Sequence, residues 1–105
     1  MRVRKNPAYH VSCFLSQQSA EKYLKALLER QNQYTPKIHR LIDLLELCKT
    51  ADPSLEILRA DLQELERYSV RVRYPGLVSD KDDAKAAFKA AKIVRGVIRQ
   101  KLDLG

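Results

Sequence analysis

The 105-residue sequence predicts an all-α protein, an antiparallel up-down four-helix bundle. Three observations carry that prediction. Leu, Ala, Lys, Glu and Arg dominate, with only three glycines and four prolines, a composition that favours helix over sheet. Apolar residues recur at spacings of three and four in four stretches, and no alternating strand pattern competes with them. Thr35-Pro36 and Asp52-Pro53 each place a capping residue before a proline, the grammar of a helix start.

The elements follow in order within a single domain spanning residues 1–105. Residues 1–7 form a short basic arm. A first helix, about 8–31, follows Pro7 and carries Val11, Phe14, Ala20, Leu24, Leu27 and Leu28. Gln17, Gln18, Glu21, Lys22 and Lys25 interrupt or flank this stripe, and Glu21 with Lys25 is a favourable i,i+4 pair. The helix dissolves in Gln31-Asn32-Gln33-Tyr34. A second helix, about 36–50, presents Ile38, Leu41, Ile42, Leu45 and Cys48, widened by Leu44 and Leu47 toward more than one neighbour. A third, about 53–73, has a heptad-spaced seam of Leu55, Leu58, Leu62, Leu65 and Val72. Pro75-Gly76 forbids its continuation. Ser79 with Asp82 reads as a loose capping box for the last helix, about 80–102. That helix carries two apolar rows: Ala84, Phe88, Ala91, Val94 and Ile98, and Ala86, Ala90, Ile93 and Val97. Such girth fits a central position or a surface shared with a second subunit.

Charge narrows the partner. The net charge of +7 favours an anion: nucleic acid, nucleotide, an acidic protein or a membrane surface. Residues 1–30 hold six Lys/Arg against two Glu, and residues 80–105 hold seven against four, so both ends are basic. No apolar run approaches the ~20 residues that span a bilayer, and no signal-like apolar core follows the basic arm. Cys13 and Cys48 lie on apolar sides of separate helices without a C-x-x-C, as buried thiols do. These features read as a cytoplasmic protein without a membrane partner.

The most distinctive stretch is L-E-R-Y-S-V-R-V-R-Y-P-G, Leu65 to Gly76. Arg67, Arg71 and Arg73 share it with Tyr68 and Tyr74, and no acidic residue lies between Arg67 and Ser79. Arginine forks match phosphate geometry and tyrosine faces stack on bases. Arg71, Arg73 and Tyr74, with Tyr68 beside them, are therefore the first ligand-contact candidates. The competing structural reading has the arginines completing the helix macrodipole and the tyrosines partly buried with hydroxyls satisfied locally. Gln18, Lys22 and Lys25 share a helix face and are candidates for a second polar wall, with His39 opening the second helix. Each has a structural alternative as well: a solvated face with a Glu–Lys pair, and a capping or interhelix histidine. No metal-ligand cluster, glycine-rich phosphate loop or Ser/His/Asp constellation is present, so no cofactor is expected.

Two segments are familiar together: S-C-F-L-S-Q-Q-S-A-E-K-Y-L-K-A-L-L from Ser12, and R-Y-S-V-R-V-R-Y-P-G from Arg67. With I-H-R-L-I-D-L-L-E between them, this order resembles the HEPN domain family, from Ser12 to about Leu102. The resemblance implies an all-α bundle that commonly dimerises, with a polar groove near the dimer axis. It implies a link to nucleotides or RNA, and often a minimal nucleotidyltransferase as partner in a toxin–antitoxin-like pair. Ribonuclease members of the family use an Arg followed after four to six residues by His. After Arg71 and Arg73 this sequence has no such His, and the Arg4–His10 spacing falls in the arm, away from the family's position for the motif. Members usually carry a further helix before the Q-Q segment, so either this chain begins late or the missing partner surface comes from another subunit, which the wide apolar rows of the last helix fit. The leading reading is a dimeric nucleotide- or RNA-binding module. A ribonuclease with a non-standard site and a purely structural helical adaptor are the alternatives.

Overall fold

The computed structural model describes residues 7–35, 37–68 and 81–103. Among them every regular element is helical: α1 (Pro7–Arg30), α2 (Leu41–Lys49), a 3-10 helix (Pro53–Leu58), α3 (Arg59–Glu66) and α4 (Lys81–Lys101). The predicted all-α helical bundle is what the chain forms. No described helix is long and apolar enough to cross a membrane.

α1 stops at a Schellman-type cap. Asn32 takes the left-handed conformation, φ 60°, which Asn tolerates better than most residues. Gln33 N–H then reaches Leu28 O at 2.9 Å and Asn32 N–H reaches Glu29 O at 3.0 Å. Gln31 and Gln33 extend their side-chain amides to Cys48 O and Leu47 O, both at 3.2 Å. The polar run after α1 thus satisfies carbonyls at the far end of α2.

α2 begins at Leu41, not at residue 36. Lys37, Ile38 and His39 precede it as non-helical chain, and Pro36 lies outside the described residues. Arg40 holds the N-cap position in extended conformation without a side-chain cap. The cap comes from α3: Glu66 Oε1 accepts from Leu41 N–H at 2.7 Å and Ile42 N–H at 3.4 Å. A carboxylate there satisfies orphan donors and complements the helix dipole. Glu66→Ala should cost about 1 kcal/mol, the usual worth of an N-cap, and Glu66→Gln less. Urea titration monitored by circular dichroism checks both.

The third predicted helix, about 53–73, is two elements within the described region. Asp52 Oδ1 accepts from Ser54 N–H at 3.2 Å and Ser54 Oγ–H at 2.5 Å, and Pro53 follows the cap. The chain tightens into 3-10 geometry, which eclipses residues i and i+3 and turns Leu55 and Leu58 into the core together. α3 then buries Leu62 and Leu65 and ends at Glu66, with Arg67 and Tyr68 in a turn. Val72, like Ser79 and its capping box, lies outside the described residues.

Chain direction is set by the α1–α2 connection. It runs back along α1, bringing His39 beside Glu21, while Cys48 at the other end of α2 donates Sγ–H to Leu24 O at 3.5 Å. The loop makes the return leg, so α2 heads the same way as α1. α4 does too: Tyr23 meets Arg95 and Arg99, and Arg30 reaches Asp103 at 3.3 Å. The 3-10 helix and α3 together run the other way, from Ser54 beside Lys101 to Glu66 beside Leu41. Alternation of direction is therefore kept by α3 and not between α1 and α4.

The core lies where all four helices meet. Leu24, Leu28, Leu44, Leu45, Leu55, Leu62, Leu65, Val94 and Ile98 are fully enclosed. Cys13 and Cys48 are buried thiols, and burial pushes the Cys48 thiol up to about 12. On α4 the buried row is Ala87, Ala90, Val94 and Ile98, while Phe88 and Ile93 face outward.

Candidate functional site

Gln17 and Glu21, one turn apart, break the apolar stripe of α1 on its buried side, with residue exposures of 1% and 8%. Polar groups enclosed this far must be paired. Gln17 Oε1 accepts from Gln18 Nε2 at 2.6 Å. Glu21 Oε2 accepts from Lys25 Nζ at 3.0 Å and lies 2.8 Å from His39 Nδ1. Among the described residues no buried side-chain polar atom lacks a partner.

Burial raises the Glu21 carboxyl, but the hydrogen bonds of His39 and Lys25 and their charges outweigh it and leave the group below its ordinary 4.5. A carboxyl lowered by folding contributes stability above its unfolded pKa and loses it as pH falls through the folded value. That contribution should begin to fade near pH 4.5 and vanish below the folded pKa. Glu21→Gln should cost about 1–2 kcal/mol at pH 7 and flatten the stability profile below the ordinary carboxyl value of 4.5. Chemical denaturation at a series of pH values reads both effects.

The end of α3 packs beside this cluster, because Glu66 caps the helix that His39 precedes. Two residues on, Tyr68 is only 7% exposed and donates its hydroxyl to Glu64 Oε2 at 3.0 Å. Burial, then the Glu64 carboxylate, raises the phenol well above its ordinary range, so the proton stays on Tyr68. Arg67 lies over the ring at 5.5 Å from its centroid and pairs with Glu64 at 3.0 Å. Tyr68 therefore has a covered ring and a satisfied hydroxyl, the arrangement of an anchor instead of an open stacking platform.

The sequence-derived candidates divide accordingly. Lys25 and His39 converge on Glu21. Gln18 and Lys22 instead line an outer groove with Tyr23, so the face expected to hold 18, 22 and 25 together is split by the pull of Glu21 on Lys25. Tyr68 anchors the turn after α3. Arg71, Arg73 and Tyr74 lie outside the described residues. Glu21 and Glu66, which organise the site, are not among the sequence-derived candidates. For Glu21 a signal was present, a carboxylate on the apolar side of an amphipathic helix. For Glu66 there was none, since its partners are 24 and 25 positions away.

Comparison with curated proteins and with solved structures gives no match. The HEPN domain family matches residues 2–101, nearly the whole chain. With an all-helical bundle beneath that match, this protein belongs to the HEPN domain family.

Proposed function

We propose that this chain is a HEPN-type module that binds a nucleotide or RNA through phosphate. In this reading Arg71 and Arg73 neutralise phosphate, and Tyr74 lies against a base or ribose. Lys25 and His39 form the adjoining polar wall. The observation that carries the reading is the anchoring of α3's end. Glu66 ties it to α2, Tyr68 locks it to Glu64, and the Glu21 cluster flanks it, just where the chain enters the Arg71–Tyr74 stretch. A fixed point at the start of a basic segment limits where its charges can lie relative to a ligand. Membership of the HEPN family supports the nucleotide or RNA class of ligand.

The working form in this proposal is a homodimer that partners a minimal nucleotidyltransferase in a toxin–antitoxin-like pair. Ile93, 40% exposed on α4, supports a subunit contact on that flank. Titrating ATP, GTP and a short single-stranded RNA into wild type and into the Arg71→Ala/Arg73→Ala double variant tests the ligand. Binding by wild type that the double variant loses is expected; no binding by wild type at low salt removes the ligand claim.

A further inference from the structure

α1 and α4, side by side and pointing the same way, leave a valley on the outside of the bundle. Its upper part is a groove of about 450 Å³ floored by Val11, Leu15, Phe88 and Ala91. A second groove of about 490 Å³ continues it past Leu15 to Tyr23 and Ala26. Val11, Leu15 and Phe88 are 50%, 58% and 59% exposed, large apolar side chains gathered on one face. Such a gathering, rimmed by polar groups, marks an interaction surface. The rim is cationic: Lys22 on α1, Lys92 and Arg95 on α4. Among the described residues lining either groove there is no carboxylate.

We propose that this valley holds an amphipathic α-helix of a partner protein, with its apolar face on Val11, Leu15 and Phe88 and acidic side chains along its flanks. The length fits. Val11 to Ala26 spans about 22 Å of α1, the rise of a helix of about 15 residues. Two adjacent helices present ridges and a groove that accept a third, read through i, i+3, i+4 and i+7 anchors. The basic rim selects the flanking charge.

The same details argue against other occupants. A second copy meeting through a two-fold axis would set this basic rim against itself. A nucleic acid strand wants a run of open aromatic faces, whereas the apolar floor beside Phe88 is aliphatic: Val11, Leu15 and Ala91. The Tyr23 hydroxyl is engaged. A hydrogen bond with Arg99, then the Arg95 and Arg99 charges, lowers its phenol against a smaller effect of burial. The inference does not depend on the nucleotide reading, which concerns the far end of α3.

Three fluorescent probes test it by anisotropy: a stapled helical peptide of about 18 residues with Leu on one face and Glu on its flanks, the same peptide with Lys for Glu, and a 20-nucleotide oligouridine. The Glu peptide should bind wild type, at least tenfold tighter than the Lys peptide. Phe88→Asp should weaken it tenfold or more, and so should Lys92→Glu/Arg95→Glu, which should also gain affinity for the Lys peptide. These positions are exposed, so the variants should keep wild-type melting curves. Arg71→Ala/Arg73→Ala should leave peptide binding unchanged, separating this surface from the phosphate site. The inference is overturned if the two peptides bind alike or if Phe88→Asp changes nothing. It is also overturned if oligouridine alone binds and is lost in Lys92→Glu/Arg95→Glu, or if sedimentation shows a wild-type dimer that Phe88→Asp dissolves.

Discussion

Leu65→Ala should lower stability by about 2–5 kcal/mol and the melting temperature by more than about 10 °C. Leu65 is fully enclosed on the last turn of α3, beside Leu62 and one residue before Glu66. Truncating it removes three carbon atoms from a packed interior and leaves a void that neighbouring helices fill only in part. Small domains hold only ~5–15 kcal/mol in total, so the loss is a large share. It should also loosen the Glu66 cap and, with it, the start of α2. Leu15→Ala is the contrast. Leu15 is 58% exposed, so its truncation should change stability by less than about 0.5 kcal/mol. Thermal melts of the two variants side by side separate core from interaction surface, a distinction that leucine as a residue type does not make.

The largest functional effect is expected from Arg71→Ala/Arg73→Ala. If each guanidinium pairs with a phosphate, losing both should weaken RNA binding by at least tenfold at physiological salt while melting behaviour stays close to wild type. Arg73→Lys should recover only part of the loss, because an ammonium keeps the charge but not the planar fork. Tyr68→Phe acts differently in this scheme. It removes the hydrogen bond to Glu64 and should reduce stability by about 1 kcal/mol, with affinity falling only as the α3 end loosens.

What the sequence made legible was what local spacing controls. The apolar stripes place Leu24, Leu28, Leu44, Leu45, Leu62 and Leu65 inside, and both thiols with them. The starts and stops were legible where the chain caps itself, as at Asp52-Pro53 and Asn32. They were misread where the cap is remote. Thr35-Pro36 carries a valid start signal, yet α2 begins at Leu41 because Glu66 satisfies its first donors from another helix. The same limit hid the parallel course of α1 and α4. That course depends on residues 31–35 and 37–40 lying on a return leg, and nothing in their spacing announces it. On α4 the periodicity offered two apolar rows without saying which is buried. Packing follows neither row whole: it buries Val94 and Ile98 from the first, Ala90 from the second and Ala87 from neither, and leaves Phe88 and Ile93 outside. For the site, polar residues inside the α1 stripe were a readable anomaly. Their partner His39 became identifiable only when folding brought it to Glu21.

The central claim is that arginines following the anchored end of α3 grip phosphate. Its most direct test is the salt dependence of RNA affinity, measured for wild type and Arg71→Ala/Arg73→Ala across a range of potassium chloride concentrations. Each phosphate contact to a single strand contributes ~0.7 to the slope of log K against log salt. The expected result is a slope for the double variant shallower by about 1.4, with lower affinity at every concentration. Identical slopes and affinities for the two proteins would contradict the account.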